Sequence, residues 1–479
     1  MENIPKRIEE IGKMTPRDKS LAENFNKKEK GWPSGFEVIG IKEFPYHKNV
    51  IKALQDSADL YGYKQIQTPL ICDVSWVQAK GAGSQEIKSE MFGITRLKQE
   101  GSTNLVLRFE NTLSLAKYLT SHSQEIPLPF RRFEIGSVFR GERAQKGRKR
   151  EFTQADLDVV GLGYPWAETE VLSITAEILN KLSFPKETKI HLNDRAFLGS
   201  LIEKIENSDD NSLITGVMRE VDKLDKKSAE DVTTEAQKNG LPISAIKKII
   251  ELSDKVSLIE NPYKSLLKLR EIIKNDGLLT SKIDQSLQSM EQLLSLLGPT
   301  IDRIKIDPRL TRGLEYYTGV VFEVLHPGIS GSLCGGGRYD RLIKEIGGPD
   351  IKAIGFAFGI DRMVGAMKQL EIKNKENIDQ KGIAIVTFGG NATLYTLGIA
   401  NKIRELDIPA ILISPEINVG KQMGKVSQAE FPFSIVIGDD EVKNKTIIIK
   451  NMETREQMTV KEDQIENKLS EIMKKFSHK

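Results

Sequence analysis

A long helical stretch interrupts a β-rich sequence, and this interruption constrains the fold of the 479-residue chain more than any other feature. Apolar and polar residues alternate between 100 and 165, which indicates strands, and the alternation returns after 305. Residues 195–300 instead show helical spacing and are rich in Leu, Ile, Lys, Glu and Ser. We therefore expect a single antiparallel sheet domain whose two halves are separated by a helical insertion.

Strand parity gathers charged residues on one side of this predicted sheet. The segments that alternate clearly are 104–110, 131–142, 150–160 and 315–324. In the third of these, the polar side carries Phe152, Gln154, Asp156 and Asp158. A solvated sheet face would explain any one strand. Four such strands, with both signs of charge and with aromatic residues, favour a pocket for a polar ligand.

The densest signal is FRGERAQKGRKREFTQADLDVVG at 139–161, which predicts a strand, a basic loop and a returning strand. Six basic residues and one acidic residue lie between Arg140 and Arg150. Arginine binds phosphate oxygens bidentately, and an aromatic ring such as that of Phe152 can stack on a base. A solvated basic hairpin is the alternative, but the interleaved Gln154 and Asp158 favour a nucleotide site.

Three further segments carry chemistry: RGLEYYTGVVFE at 312–323, CGGGRYDRLI at 334–343 and AIGFAFGIDRM at 353–363. Consecutive glycines usually mark a close approach of the backbone to another group. In the last segment a strand is expected to end at Gly359, where a helix begins. Arg362 then lies in the first helical turn, a position suited to binding an anion.

Composition argues against several classes of protein. No apolar run approaches the ~20 residues of a membrane span, and the N-terminus has no apolar region typical of a secretory signal. Cys72 and Cys334 are far apart, so we expect neither a disulfide framework nor a structural zinc site, and a cytoplasmic location. The net charge of +3 means that nucleic-acid binding depends on local basic clusters.

Together these segments resemble the class II aminoacyl-tRNA synthetases, specifically the histidyl-tRNA synthetase family. The TP at 68–69 is similar to the end of motif 1, which builds the dimer interface. FRGE at 139–142 with its returning strand resembles motif 2, and GFAFGIDRM resembles motif 3. RGLEYYTG and GGRYD are similar to the histidine-specific signatures. The implied fold is α+β and multidomain, with a class II antiparallel sheet, flanking helices, a helical insertion and a C-terminal α/β anticodon-binding domain.

The expected domains are an N-terminal extension (1–35), a first catalytic segment (36–194), a helical insertion (195–302), a second catalytic segment (303–370) and an anticodon-binding domain (382–479). Strands alternating with helices from 382 onwards predict a mostly parallel sheet in the last domain. The resemblance implies that ATP with Mg²⁺ activates L-histidine, and that histidine is then transferred to tRNA(His) by a homodimer. The alternative is a catalytically inactive regulatory subunit or a tRNA sensor. Inactive relatives typically lack the C-terminal domain and the arginines, both of which are present here, and a sensor would normally accompany a kinase domain.

The resemblance also implies roles for individual residues. Arg140 and Arg312 are expected to act at the ATP α-phosphate as catalytic residues. The further expected ATP contacts are Glu142 and Arg148, with Phe152 stacking on adenine and Arg362 on the γ-phosphate. The expected tRNA acceptor contacts are Arg143 and Gln145.

The histidine-binding residues implied are Glu110, Thr112, Gln154, Asp158, Arg312, Tyr316, Tyr317, Gly336 and Tyr339. The first four are expected to receive the α-amino group, and Arg312 also binds the carboxylate. Tyr317, Tyr339 and the glycines are expected to shape the imidazole pocket, with Gly336 leaving room that a side chain would fill.

The sequence departs from the family pattern at several of these positions. The common LRPEGT is LRFENT at 107–112, so that Phe109 and Asn111 replace Pro and Gly. We expect Asn111 to cap the helix that follows. Asp158 stands where many members have Glu, Glu315 replaces Asp, and Ala144 replaces a loop proline.

Overall fold

The computed structural model describes residues 32–75, 89–96, 104–143, 148–311, 316–373, 382–390, 392–413 and 417–477. They form two compact units, with the division between Ile372 and Lys373. Most of the expected N-terminal extension, residues 1–35, lies outside the described residues. No helix in the described ranges combines the length and the apolar character that crossing a membrane requires.

The first unit is built on a large sheet. The strands of this unit are β1 (Lys64–Gln65), β2 (Ile71–Asp73), β3 (Leu105–Leu107), β4 (Phe130–Phe139), β5 (Glu151–Val160), β6 (Lys189–Asp194), β7 (Ile304–Ile306), β8 (Val320–Leu325), β9 (Cys334–Arg338) and β10 (Ala353–Gly359). Eight of them pair in the order β1-β4-β5-β10-β9-β8-β6-β7. The outermost pairs, β1 with β4 and β6 with β7, are parallel, and the pairs between them are antiparallel.

The prediction that 104–110 joins this sheet is wrong. Its strand, β3, pairs with β2 in a separate two-stranded antiparallel sheet. The residues that follow β3 nevertheless reach the large sheet, because the N–H of Phe139 at the end of β4 donates to the carbonyl of Arg108 at 3.0 Å. Alternation therefore identified this segment correctly as a strand. It did not identify the strand with which the segment pairs, because that choice depends on residues far away in the sequence.

Helices cover both faces of the large sheet. The helices of the first unit are α1 (Phe44–Leu60), α2 (Thr112–His122), α3 (Trp166–Lys181), α4 (Arg195–Glu206), α5 (Asn211–Asp222), α6 (Ala229–Lys238), α7 (Ser244–Ser257), α8 (Pro262–Asn275), α9 (Ser281–Leu296), α10 (Leu342–Glu345) and α11 (Ile360–Gln369). Helices α1, α3 and α11 pack on the face formed by residues such as Leu157 and Phe356. Helices α2 and α10 pack against a smaller apolar group on the opposite side.

The helical insertion predicted between the two halves of the sheet domain is confirmed, since α4 to α9 follow β6 and precede β7. Capping residues explain where several of these helices begin. The side chains of Asp194, Ser228, Asn261 and Thr280 accept hydrogen bonds from backbone N–H groups in the first turns of α4, α6, α8 and α9. The buried side chains of the insertion belong to the same core as Leu157 and Phe356, on the sheet face that α1, α3 and α11 cover.

The second unit contains β11 (Ile383–Thr387), α12 (Ala392–Arg404), β12 (Ala410–Leu412), α13 (Val419–Gln428), β13 (Phe433–Ile437), α14 (Asp439–Asn444), β14 (Thr446–Asn451), β15 (Gln457–Lys461) and α15 (Ile465–Ser477). Its sheet has the order β12-β11-β13-β14-β15. The prediction of a mostly parallel sheet is wrong. β11 pairs parallel with β12 and β13, but β14 pairs antiparallel with both β13 and β15. A crossover helix long enough for parallel pairing separates β11 from β12 and β12 from β13, whereas β14 and β15 follow one another through a short turn.

Candidate active site

One face of the large sheet carries the site. We call it the polar face and define it by the even-numbered residues of β4 and β5 and the odd-numbered residues of β8, β9 and β10. The hairpin register places Arg132 opposite Asp158 and Glu134 opposite Asp156. All four side chains are buried, so the solvated-face interpretation of these strands is wrong.

Two buried arginines pair with Glu134 and Asp158 on the polar face. Arg132 donates to Asp158 at 2.7 Å and also contacts the carboxylate of Glu134. Arg108 donates to the other Glu134 oxygen at 2.8 Å and to the Ser137 carbonyl at 2.8 Å. The N–H of Thr68 binds that same Glu134 oxygen at 2.9 Å. A buried charge persists only when it is paired and hydrogen-bonded, so this network fixes the floor of the site.

Three tyrosines form one wall above this floor. The phenol of Tyr339 donates to Asp158, and its ring lies 5.9 Å from that of Tyr316. The rings of Tyr316 and Tyr317 are 4.8 Å apart. All three residues are buried. At Gly355, on the neighbouring strand, a β-carbon would collide with the Asp158 carboxylate, so glycine at this position makes room for that carboxylate.

Oxygens of Glu110 and Gln154 are among the acceptors of the site that have no hydrogen-bond partner within the described residues. One oxygen of Glu110 accepts from the phenol of Tyr316 at 3.0 Å, while the other, Oε1, is buried and unpaired. Oε1 of Gln154 is likewise buried and unpaired. Burial raises the pKa of Glu110 to about 6, against the opposing effect of the Arg140 charge. Since an unsatisfied buried acceptor is costly, both oxygens are suited to a ligand that brings N–H donors.

Arg140 lies just beyond the end of β4, between two aromatic rings. Its guanidinium carbon is 4.5 Å from the centre of the Phe109 ring and 5.2 Å from that of Phe152. Its Nε donates to the Phe109 carbonyl at 3.4 Å. Phe152 is partly exposed, whereas Phe109 is buried. The two rings and the Phe109 carbonyl thus orient the guanidinium.

Three arginines make this region of the site electropositive. The pKa of Arg362 is lowered, first by burial and then by the like charges of Arg148 and Arg140. Arg362 is the third residue of α11 and donates to the Ser332 carbonyl at 3.0 Å. Arg148 donates to Glu142 at 2.8 Å. Several guanidinium groups close to a helix N-terminus are an arrangement that binds phosphate groups.

Asp361, next to Arg362, connects α11 to the hairpin. One carboxylate oxygen accepts from Lys149 at 2.9 Å, and the other accepts from the N–H of Thr153 at 2.9 Å. Lys149 also lies 3.4 Å from Glu37. A single carboxylate thus holds the returning end of the basic loop against the helix that carries Arg362.

The remaining expected site residues divide into two groups. Thr112 begins α2 and shares a hydrogen bond with Tyr316, and Arg143 is exposed on the basic loop. Arg312, Glu315, Ala144 and Gln145 lie outside the described residues, so their expected roles stay predictions. The charges of Arg140 and Arg148 reach Arg362, and those of Arg140 and Asp158 reach Glu110.

A comparison with protein families matches residues 35–363 to the histidyl-tRNA synthetase model, which is more than half of the chain. The chain belongs to the histidyl-tRNA synthetase family. The anticodon-binding domain model matches residues 382–472. The histidine–tRNA ligase of Clostridium tetani is 32% identical over 437 residues, which cover 90% of this chain and 96% of that protein. As a member of the histidyl-tRNA synthetase family, the chain is an ATP-dependent ligase.

Solved structures agree with the fold. A histidyl-tRNA synthetase from Nostoc sp. PCC 7120 has a TM-score of 0.76 at 24% identity and covers 92% of this chain and 98% of its own. A chain from Bacillus halodurans described as an ATP phosphoribosyltransferase regulatory subunit/histidyl-tRNA synthetase has a TM-score of 0.67 at 21% identity. It covers 86% of this chain and 98% of its own. The class II fold with a C-terminal anticodon-binding domain is thereby confirmed.

The expected role of Gly336 as a histidine-binding residue needs correction. In β9 the glycines on the polar face are 335 and 337, whereas Gly336 pairs with Phe322 and Phe356 on the core side. A β-carbon there would collide with the Gly355 carbonyl and lie 2.6 Å from the Cα of Phe356. The expectation that a side chain at 336 would fill the pocket is therefore wrong, because strand parity directs it to the opposite face.

The expected role of Asn111 also needs correction. Its side chain makes no capping hydrogen bond to α2. Instead, Nδ2 donates to the buried carboxylate of Asp156 at 2.7 Å. Burial raises the pKa of Asp156 to about 7, so the amide stabilises a carboxylate that would otherwise have little solvation. An Asn before a helix predicts a cap only when no buried group competes for its side chain.

Sequence reasoning missed Arg108, Arg132 and the Asp361 contact to the hairpin. For Arg132 a signal exists. If the hairpin is taken as symmetric about residue 145, in the middle of the loop, position 132 lies opposite 158 and position 134 lies opposite 156. The structure shows these same pairs. Opposite charges at paired positions on one strand face predict ion pairs. Arg108 offers no such signal, because its partner Glu134 is 26 residues away on a strand with which β3 does not pair.

Proposed function

We propose that the polar face binds L-histidine beside ATP, so that the chain forms histidyl-adenylate and then transfers histidine to the 3′ end of tRNA(His). The observation that carries this proposal is the pair of buried, unpaired acceptors, Glu110 Oε1 and Gln154 Oε1, close to a cluster of arginines. An α-ammonium group supplies the donors that these oxygens lack. The arginines supply the charge that a polyphosphate requires.

In this proposal the α-amino group of histidine lies against Glu110, Gln154 and Thr112. Asp158, which the resemblance assigns to the α-amino group, is instead proposed to face the imidazole ring, because its carboxylate is hydrogen-bonded to Tyr339 of the tyrosine wall. Because Arg132 and Tyr339 each donate to Asp158, the carboxylate has a fixed orientation for an imidazole N–H. Shape and hydrogen bonding together would then exclude amino acids that lack a ring with an N–H donor.

ATP is proposed to lie along the arginines. A carboxylate oxygen of histidine attacks the α-phosphorus, and the bond from that phosphorus to the pyrophosphate oxygen breaks. Negative charge develops on the α-phosphate oxygens, where Arg140 and Arg312 stabilise it without transferring a proton. Phe152 stacks on adenine, and Glu142 contacts the adenosine. Arg362 binds the γ-phosphate, with Arg148 as a further ATP contact.

Mg²⁺ is proposed to enter with ATP as its counter-ion. Nowhere in the described ranges do three His, Cys, Asp or Glu side chains come together as a metal cluster. Mg²⁺ at nucleotide sites usually takes only one or two carboxylates, and phosphates and waters complete its coordination. Glu323, whose charge reaches Arg362, would fit that requirement.

Transfer to tRNA is proposed to use both units. Arg143, exposed on the basic loop, and Gln145 would contact the acceptor end of the tRNA. The second unit, which matches the anticodon-binding model, would contact the anticodon. In the transfer step a hydroxyl of the terminal ribose attacks the carbonyl carbon of the adenylate, AMP leaves, and the hydroxyl proton passes to a phosphate oxygen of AMP or to solvent.

We further propose a cytoplasmic homodimer. Leu70, Ile71 and Leu105, in and beside the small β2–β3 sheet, are 42%, 47% and 43% exposed. Apolar groups exposed together are typical of an interface, and this region follows the motif 1 resemblance at 68–69. Both cysteines are free and buried, which suits a reducing compartment. Ile71→Asp should therefore shift the protein towards monomers in sedimentation velocity.

ATP–pyrophosphate exchange tested with each of the twenty amino acids decides the activation step. We expect exchange with histidine alone, and we expect Arg140→Ala and Arg312→Ala to lower it by roughly 10²–10³-fold. Melting curves of both variants should match that of the wild type. A folded wild-type protein without exchange would instead favour the regulatory or sensor alternative. Near-normal exchange by folded Arg312→Ala would contradict the role of that residue.

A further inference from the structure

The side chain and backbone of Phe109 both contact Arg140. The Phe109 ring lies 4.5 Å from the guanidinium carbon, and its carbonyl accepts from Nε at 3.4 Å. The Phe152 ring lies on the same guanidinium at 5.2 Å. Phe109 stands where the family pattern has proline, a residue that offers no aromatic face.

The position of the Phe109 ring is itself fixed. Phe109 is 7% exposed and belongs to the apolar group that includes Leu113 of α2 and the three tyrosines. The residue before it, Arg108, is tied to the end of β4 through Phe139 and through Ser137. The residue after it, Glu110, is held by Tyr316. Packing in this apolar group restricts the ring, and the contacts of both neighbours fix the backbone that carries it.

We propose that Phe109 is a positioning residue for Arg140, which holds the guanidinium in its working orientation before ATP arrives. This role rests on the function proposed above for Arg140. An arginine side chain loses conformational entropy when it is immobilised, and a ring that already restricts the side chain removes some of that loss from the reaction. The negative face of the ring also favours the guanidinium charge in a site with little solvent.

The effect should fall on kcat rather than on KM for ATP. Arg140 stabilises charge that develops only as the α-phosphorus is attacked, and an interaction made in the transition state raises kcat. A buried cation–π contact corresponds to a factor of about fivefold to thirtyfold in rate. Phe152, in contrast, is expected to contact adenine, so its loss should raise KM for ATP.

The test compares variants of the full-length protein in histidine-dependent pyrophosphate exchange. Phe109→Leu keeps apolar volume and removes the ring, so kcat should fall about fivefold to thirtyfold with KM for ATP nearly constant. Phe109→Tyr keeps the ring and should restore most of that loss. Phe130→Leu, a matched change at the edge of the same apolar group, controls for lost packing. All melting curves are recorded.

A second arm shows whether Phe109 acts through Arg140. In an Arg140→Met background, single-turnover adenylate formation should change less than about twofold when Phe109→Leu is added, because the cation that the ring orients is gone. An equal loss in both backgrounds, or equal losses in Phe109→Leu and Phe109→Tyr, would overturn the positioning role. If folded wild-type protein shows no exchange, the proposed function fails and this role fails with it. Normal wild-type exchange with an unaltered Phe109→Leu overturns this role alone.

Discussion

Tyr339 donates its phenolic hydrogen to the carboxylate of Asp158, which lies 181 residues earlier in the chain. The other oxygen of that carboxylate accepts from Arg132 at 2.7 Å. Each oxygen of the Asp158 carboxylate thus has a donor that orients it. Asp158 therefore gives the proposed imidazole pocket a hydrogen-bond acceptor of fixed orientation.

Tyr339→Phe should raise KM for histidine about tenfold or more, because a buried carboxylate oxygen loses its donor. The kcat of exchange should change less, since the arginines at the phosphate are untouched. Exchange kinetics at varied histidine concentration measure both constants. Tyr263→Phe, in the helical insertion, is the matched control. An unchanged KM in Tyr339→Phe would mean that Asp158 does not contact the imidazole.

Glu110→Gln should lower activation and raise stability at neutral pH. Burial raises the pKa of Glu110 from 4.5 to about 6, so the folded state keeps a proton that the unfolded state releases between these values. The folded state therefore loses stability as pH rises through that window, by about 2 kcal/mol at most. Melting curves of both proteins at pH 5 and pH 7.5 should show a difference that is larger at pH 7.5. An equal difference at the two pH values would contradict the shifted carboxylate.

Asp361→Asn should raise KM for ATP about fivefold, because the base of the basic loop loses its ionic contact with α11. The amide can still accept from the Thr153 N–H, so folding should be preserved. Lys149→Met removes the other partner, and the double variant should be no worse than either single one. Lys368→Gln removes an exposed ion pair of the same helix with Glu43 and serves as the control. Fully additive effects would show that the two residues act separately.

Gly355→Ala and Gly336→Ala should fail in different ways. A β-carbon at 355 meets the side chains of Asp158 and Tyr339, so the carboxylate must shift and KM for histidine should rise. A β-carbon at 336 meets backbone atoms of β10, so the sheet itself must open and the melting temperature should fall by several degrees. Kinetics and melting curves of both variants separate the two outcomes. A stable Gly336→Ala with raised KM would reverse the assignment of faces.

Removal of the second unit should leave histidine activation largely intact and sharply weaken charging of tRNA. The cut belongs after Lys373 rather than near Gln369, because Ile372 packs against the main core and its N–H donates to the Met367 carbonyl at 2.8 Å. Contacts to tRNA phosphates would be lost, so KM for tRNA should rise and its salt dependence should fall. Aminoacylation by the truncated protein at physiological salt is the measurement. Full charging efficiency would show that the second unit does not bind the anticodon.

Local sequence determined much of this protein. Alternation identified β4, β5 and β8 and assigned Gln154, Asp156 and Asp158 to one face, because successive strand residues point to opposite sides. The change from the apolar strand to the helix at Gly359 put Arg362 in the first turn of α11, as the structure has it. The helical insertion followed from its 3.6-residue spacing. Each of these features depends on residues that are close together in the sequence.

Tertiary structure decided the rest. Parity gave Glu134 and Asp158 a common face, but their burial depends on distant residues that contact them, such as Thr68 and Arg108 at Glu134 and Tyr339 at Asp158. Asn111 was free to cap a helix until Asp156 was brought against it, and β3 took β2 as its partner although its alternation fitted the large sheet. Arg108 with Glu134 and Tyr339 with Asp158 join groups that are distant along the chain. Such long-range contacts decide which side chains are buried, which charges pair and where a glycine must leave room. A local pattern contains no information about which distant residue will make each contact.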